Sequence, residues 1–155
     1  MKLKFDRSYI LIAAIALCLI MAACSPSGTN NADALTGAFT DKDLGIAIDG
    51  KTYYLREDSA ALIAAFGEGY EYSEMVSCVY DGKDKTFAYD GVTVSTVPVD
   101  GKDVTEMITI TGGDYTTLRG IGVGSTIDGV KAAYGEKWFD DGYLTYSISG
   151  DETDI

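Results

Sequence analysis

The side chains of this sequence that could do covalent or acid–base chemistry are few, and their spacing assembles no reaction. The thiols are Cys18, Cys24 and Cys78, and there is no histidine. A cysteine attacks as its thiolate, which needs a neighbouring base or positive field. Cys78 stands instead in the run Val76-Ser77-Cys78-Val79-Tyr80, whose alternation predicts a strand with Cys78 packed as a small core residue. Glu68 and Glu136 recur in similar phrases, but carboxylates do acid–base work only where they converge in a pocket. At helix ends they read as solvated charges. Asp81, Asp84 and Asp90 lack the spacing that folds several oxygens around calcium, and turn chemistry accounts for Asp81 and Asp90. Gly120, Gly122 and Gly124 precede a helix start, as phosphate-cradling glycines do. Without a following Lys-Ser/Thr and without a βαβ unit they fit neither nucleotide motif. The expectation is a protein with no catalytic residues, no metal ligands and no cofactor.

Binding chemistry is better represented. The chain holds 11 Tyr and one Trp, and Tyr53, Tyr70, Tyr72, Trp138 and Tyr143 cluster beside the predicted helices. Exposed Tyr and Trp are favoured contact residues in interfaces, so these five form the candidate binding face. The competing reading is that strand alternation turns about half of them inward. The whole sequence carries 12 basic and 24 acidic residues, a net −12. Removing Met1–Ala23 takes away Lys2, Lys4, Arg7 and Asp6, leaving 9 against 23, or −14. Such a surface repels nucleic acid and anionic head groups. The expected partner is a protein, a peptide or a cell-wall component.

Residues 1–23 read as an export signal. Lys2, Lys4 and Arg7 precede the apolar run Tyr9–Met21, which is shorter than the roughly 20 residues of a membrane span. The following Met21-Ala22-Ala23-Cys24 resembles the bacterial lipobox, in which lipid is attached to the cysteine and the chain is cut before it. That resemblance implies a lipid on Cys24, a membrane anchor and an extracytoplasmic location at the cell membrane. A plain secretory signal with Cys24 incidental is the alternative. Ser25 to Thr40 is small and polar, so 24–40 reads as a flexible tether. With Cys18 removed and Cys24 lipidated, no disulfide framework is possible.

The remaining residues, 41–155, read as one α+β domain of two tandem units. The first, about 44–113, begins with strands Leu44–Asp49 and Lys51–Leu55 joined through Asp49-Gly50. A helix capped by Asp58 or Ser59 buries Ala61, Leu62, Ala65 and Phe66 and stops at Gly67 in left-handed geometry. Strands over Val76–Tyr80, Lys85–Tyr89, Val92–Val97 and Val104–Thr111 follow, with Asp-Gly at 81–82, 90–91 and 100–101 and Pro98 ending the third. This is an antiparallel meander. The second unit, about 116–155, repeats the phrase at an offset of 68 residues, in TTLRGIGVGSTIDGVKAAYGEKW. Tyr53 and Leu55 match Ile121 and Val123, and Ala64-Ala65-Phe66-Gly67 match Ala132-Ala133-Tyr134-Gly135. A helix capped by Ser125 or Thr126 carries Ile127, Val130, Ala133 and Tyr134 on its apolar face. Leu144, Tyr146 and Ile148 match Val76, Cys78 and Tyr80. The register runs out two strands early, so the second repeat is truncated or the chain is a fragment, and an unpaired edge strand results.

A strand, a short helix ending in A-[FY]-G and a meander, given twice, resembles the β-lactamase-inhibitor-protein-like fold, also found in small envelope lipoproteins of the SmpA/OmlA type. The matching pieces are Gly-Ile-Gly-Val-Gly over 120–124, Ser125-Thr126 with Val130, and Ala133-Tyr134-Gly135. The phrase at 116–135 also resembles one in surface lipoproteins of Gram-positive gut bacteria. The resemblance spans about Gly45–Ser149 and implies architecture, with the concave sheet face as the gripping surface. The functional expectation is a lipid-anchored, non-catalytic binding module. Two other readings are a structural accessory subunit of an envelope assembly complex and an envelope hydrolase acting through Cys78 or Glu68.

Overall fold

Asp-Gly pairs set much of the strand order. At Asp49-Gly50 both residues take positive φ (50° and 78°), as they do at Asp100-Gly101 (50° and 75°). That is the mirror-image turn whose twist matches the strands it joins. The computed structural model describes residues 37–135, 139–140 and 143–148, all within one compact unit. A 3-10 turn at Asp41–Asp43 leads into hairpin strands β1 (Gly45–Ile48) and β2 (Lys51–Tyr54). Helix α1 (Ala60–Phe66) follows, then β3 (Glu71–Val76), β4 (Lys83–Tyr89), β5 (Val92–Val99) and β6 (Lys102–Ile110). Helix α2 (Ile127–Tyr134) and the short pair β7 (Phe139–Asp140) and β8 (Leu144–Thr145) complete the α+β chain. The central sheet runs β3-β4-β5-β6, every pair antiparallel, and β1-β2 and β7-β8 form two further two-stranded sheets.

The core sits on one face of the central sheet. Val92 and Val94 of β5 are fully buried, together with Ile46 of β1 and Leu62 of α1. Ile48, Tyr53, Ile63, Phe66, Tyr89, Ile108, Ile110 and Tyr115 pack around them. A helix of seven residues does not hold itself together in water, so α1 persists through this packing. Its start is fixed by the Asp58 carboxylate, which accepts the Ala60 N–H at 3.1 Å. For α2, Thr126 Oγ1 accepts the Gly129 N–H at 3.1 Å. The outer edge of β6 is covered by residues 56–59. Arg56 N–H donates to Thr105 O (2.7 Å), Thr105 N–H to Glu57 O (2.9 Å) and Ser59 N–H to Asp103 O (2.8 Å).

Several expectations are corrected. The strand expected over Val76–Tyr80 ends at Val76, because Ser77 Oγ accepts the N–H groups of Val79 (3.4 Å) and Tyr80 (3.3 Å) and curls 77–82 into a loop. Cys78 is therefore exposed and not a core residue. Strand β5 runs through Pro98 to Val99, since its pairing with β4 has already stopped at Thr96 and the missing N–H interrupts no ladder on that side. Ile127 is exposed, because the first turn of α2 projects away from Thr117 and Phe39, which pack against its last turn at Tyr134. Residues 121–123 form only an isolated bridge, Thr116 to Gly122. Leu144 lies on two-residue β8, with Tyr146 and Ile148 beyond it.

Both helices end on a glycine of positive φ, Gly67 (82°, ψ −164°) and Gly135 (93°, ψ −175°). This is the extended positive-φ region that only glycine occupies readily, not the left-handed helical one. A Cβ at either position meets nothing within 4 Å. Substitution therefore acts through the backbone alone, and Gly67→Ala and Gly135→Ala should each cost about 1–3 kcal/mol in denaturant unfolding. Cys78→Ala, by contrast, should change stability by less than about 0.5 kcal/mol. Cys78 should react with a thiol reagent in the folded protein, without prior unfolding.

Candidate functional site

One buried ion pair fixes the frame on which any surface site must sit. Arg119 and Asp43 side chains are 2% and 0% exposed. Arg119 Nε donates to Asp43 Oδ1 at 2.5 Å and one terminal nitrogen to Asp43 Oδ2 at 2.9 Å. The other N–H groups reach Gly37 O (2.9 Å), Ala38 O (3.0 Å) and Ala133 O (2.7 Å). A guanidinium has five donors, and here five bonds use them. The plane lies over the Tyr134 ring, 5.1 Å from its centroid. Asp43 also accepts from the Thr40 N–H at 2.7 Å and hydroxyl at 3.2 Å. Phe39, Tyr134 and Tyr146 pack together beside the pair. Nothing in the pattern around Arg119 distinguishes it from a turn residue. Its usable signal is scarcity, as one of three arginines in the chain, beside glycines in a loop that leads to a helix.

Burial alone raises the Asp43 carboxyl, but the Arg119 and Thr40 hydrogen bonds outweigh it and hold the group below its ordinary value.

The second feature is a row of aromatic rings across the helix-bearing face. Tyr72 meets Phe87 at 5.4 Å between centroids, Phe87 meets Tyr70 at 5.1 Å, and Tyr70 meets Tyr89 at 5.4 Å. Tyr89 then meets Phe66 at 4.8 Å and Phe66 meets Tyr115 at 5.6 Å. These are the separations and tilts at which ring edges and faces attract. The row runs from half-buried rings packed against the core at α1 to the sheet edge at β3. At its outer end the Tyr72 hydroxyl donates to Glu74 Oε2 at 2.7 Å, which pushes the phenol up to about 12. Glu74 also pairs with Lys83.

The third feature is β3 itself. All six of its residues are exposed, and among the described residues nothing pairs with its outer edge. Met75, Val76 and, in the following loop, Val79 are 68%, 75% and 80% exposed, with Tyr80 and Cys78 beside them. The sheet face turned away from α1 contains no buried residue from β3 to β5. A groove of about 360 Å³ crosses it, lined by Ser73, Met75, Asp84, Thr86, Ser95 and Glu106 among others. Asp84 Oδ1 is buried there without a hydrogen-bond partner among the described residues.

Of the five residues expected at a binding face, Tyr70 and Tyr72 share the aromatic row, where Tyr70 is half-buried and Tyr72 exposed. Tyr53 packs against the core on β2, with the Lys51 ammonium 4.9 Å from its ring centre. Tyr143 is exposed and lies apart from the row in sequence, before β8. Trp138 and Cys24 lie outside the described residues. Among the described residues no three acidic or cysteine side chains gather as metal ligands, and no helix is long and apolar enough to cross a membrane. Comparison with protein-family models, with curated proteins and with solved structures finds no match to this chain.

Removing Arg119 strands Asp43 as an unpaired buried charge. Arg119→Met should lose about 3–5 kcal/mol at neutral pH, and Arg119→Lys should recover little of it, since an ammonium cannot reproduce the planar fork. A carboxyl depressed in the folded state stabilises above its unfolded pKa, and that contribution fades as pH falls through the folded value. In Arg119→Met burial instead pushes the stranded carboxyl up, so the gap between the two proteins should start to narrow as pH falls towards about 4 and go on narrowing below it in chemical denaturation.

Proposed function

We propose that this chain is a lipid-anchored extracytoplasmic binding module with no catalytic role, held to the cell membrane through Cys24. The observation that carries the binding role is the exposed edge of β3 together with its apolar tip. Native proteins blunt free sheet edges with charge, bulges or covering segments. Residues 56–59 cover β6 in that way, whereas β3 and its loop present Tyr72, Met75, Val76, Val79 and Tyr80 to solvent. The anchoring half of the proposal stands on the basic start, the apolar run and the Met21-Ala22-Ala23-Cys24 phrase.

The finer architecture belongs to the same proposal. Residues 44–113 and 116–155 are two units of one ancestral design, offset by 68 residues and similar to the β-lactamase-inhibitor-protein-like and SmpA/OmlA-type folds. In favour stand the two helices, which end at equivalent places, Phe66-Gly67 and Tyr134-Gly135, with the same unusual glycine backbone. Each also ends on a ring that joins an aromatic cluster. The candidate surface takes in Tyr72 and Tyr143, with Tyr53 and Tyr70 supporting from the packed side and Trp138 as a further member. The partner is a protein, a peptide or a wall component.

Two measurements test this. Cys24→Ser should move the protein from the membrane fraction to the soluble extracytoplasmic fraction, and retention of an unlipidated form would sink the anchor. A photo-cross-linking residue placed at Val79 should give one discrete adduct in intact cells, while the same residue at exposed Ala47 gives none. Identical patterns from both positions would remove the β3 tip as the binding surface.

A further inference from the structure

The open edge of β3 has a definite hydrogen-bonding register. The β3–β4 ladder pairs Val76 with Lys83, and its next pair is Ser77 with Gly82, where the Ser77 N–H donates to Gly82 O at 3.0 Å. In an antiparallel ladder, residues alternate between those that exchange hydrogen bonds with the neighbour and those whose N–H and C=O point the other way. Ser77 bonds inward, so Met75, Ser73 and Glu71 do as well. Tyr72, Glu74 and Val76 therefore present their backbone N–H and C=O groups outward. These three residues span about 13 Å of strand at roughly 3.3 Å per residue, enough to seat an extended segment of five or so residues.

The charge beside this edge selects the segment. On the face turned away from α1 stand Glu71 of β3 and Asp84 of β4, with Glu106 farther off on β6, the extra residue where the β5–β6 register shifts. The nearest lysines are committed to the other face, Lys83 to Glu74 and Lys85 to Asp103 at 2.6 Å. Lys102 is paired with Asp58 at 3.4 Å at the β6 side. Asp84 Oδ1 has no donor among the described residues, and the groove it lines has Ser73, Glu74 and Met75 as its β3 wall, with Lys85 also in its lining. A carboxylate oxygen withdrawn from water without a donor is an unfilled acceptor. Asp84 is the ladder partner of Met75, so a long cationic side chain on a strand added at β3 would cross beside Met75, two strand spacings or about 10 Å from Asp84.

We infer that β3 accepts an extended, positively charged strand of a partner polypeptide, whose lysine or arginine side chains at alternate positions face Glu71 and Asp84. This rests on the binding-module reading and assigns its partner's chemistry. The backbone supplies affinity and the alternate cations supply selection, as in other strand additions. A second copy of this chain fits the edge poorly. Its β3 has two glutamates and no basic residue, and two chains of net −12 would have to meet.

The test uses the full chain in detergent with two synthetic peptides of about eight residues, one alternating lysine with valine and one alternating glutamate with valine. Amide hydrogen exchange reads the site directly. The Tyr72, Glu74 and Val76 amides should exchange rapidly in the free protein and slow at least tenfold with the lysine peptide. Those of Ser73 and Met75 should be protected throughout. The glutamate peptide should change nothing, and the lysine peptide should weaken as salt is added. Val76→Pro removes an outward donor without touching the β4 ladder, and should weaken binding by about tenfold, the worth of one hydrogen bond. Asp84→Asn should weaken the lysine peptide several-fold, and both variants should unfold at the wild-type denaturant midpoint, which separates lost binding from lost fold. Equal binding of the two peptides, an unaffected Val76→Pro variant, or protection that rises with protein concentration alone would overturn the inference. If those results came with a discrete adduct from Val79, the module would stand and only strand addition would fall. Loss of the Val79 adduct as well would remove both.

Discussion

The Arg119–Asp43 pair is the contact on which the arrangement of the chain depends. Two opposite charges taken fully out of water are tolerable only when every donor and acceptor finds a partner, and here the guanidinium fork is fully used. Those bonds join three stretches far apart in sequence: the entry at Gly37–Asp43, the loop before α2, and the last turn of α2 at Ala133. Helix α2 has no fully buried residue of its own. Its position therefore comes from the pair and from the Tyr134 ring stacked on it, with the Tyr134 hydroxyl donating to Thr117 at 2.6 Å. Apolar burial of the ordinary kind holds α1, and a polar lock holds α2.

The central sheet divides its labour between faces and between edges. One face takes α1 and the β1–β2 hairpin and carries the buried valines of β5 and the aromatic row. The other carries hydroxyls, carboxylates and exposed methionines, with no layer of described residues over β3 to β5. Its two edges differ in the same sense. Segment 56–59 occupies β6, while β3 keeps its outward backbone groups and ends in an apolar loop. The aromatic row links these surfaces, because the same ladder of rings begins in the core at Phe66 and Tyr89 and emerges at Tyr72. Rigid packing thus runs to the exposed edge, and an edge held this way presents its backbone groups in fixed positions.

The acidic character of the chain is unevenly expressed. On the helix-bearing face, carboxylates meet lysines or backbone donors, as at Glu74, Asp103 and Asp58. The open face carries Glu71, Asp84 and Glu106, and among the described residues Asp84 Oδ1 there has no donor. The same composition therefore yields a neutralised rim on one side and an unneutralised field on the other, a distinction that net charge cannot express.

The sequence by itself determined most of the local structure. The Asp-Gly turns at 49–50, 90–91 and 100–101, the helix starts at Asp58 and Thr126, and the stops at Gly67 and Gly135 rest on backbone preferences that act over a few residues. They were legible for that reason. At 76–80 the alternation of apolar residues cannot reveal that the Ser77 hydroxyl captures two backbone N–H groups and curls the chain, which puts Cys78 in solvent. Residue type alone does not tell one tyrosine's surroundings from another's, and packing separates half-buried Tyr53 and Tyr70 from exposed Tyr72. Which edge stays open, which face stays uncovered, and that Arg119 reaches Asp43 across 76 residues were decided only by tertiary structure. Long-range pairing of this kind depends on where distant segments are carried by packing, and no spacing along the chain encodes it.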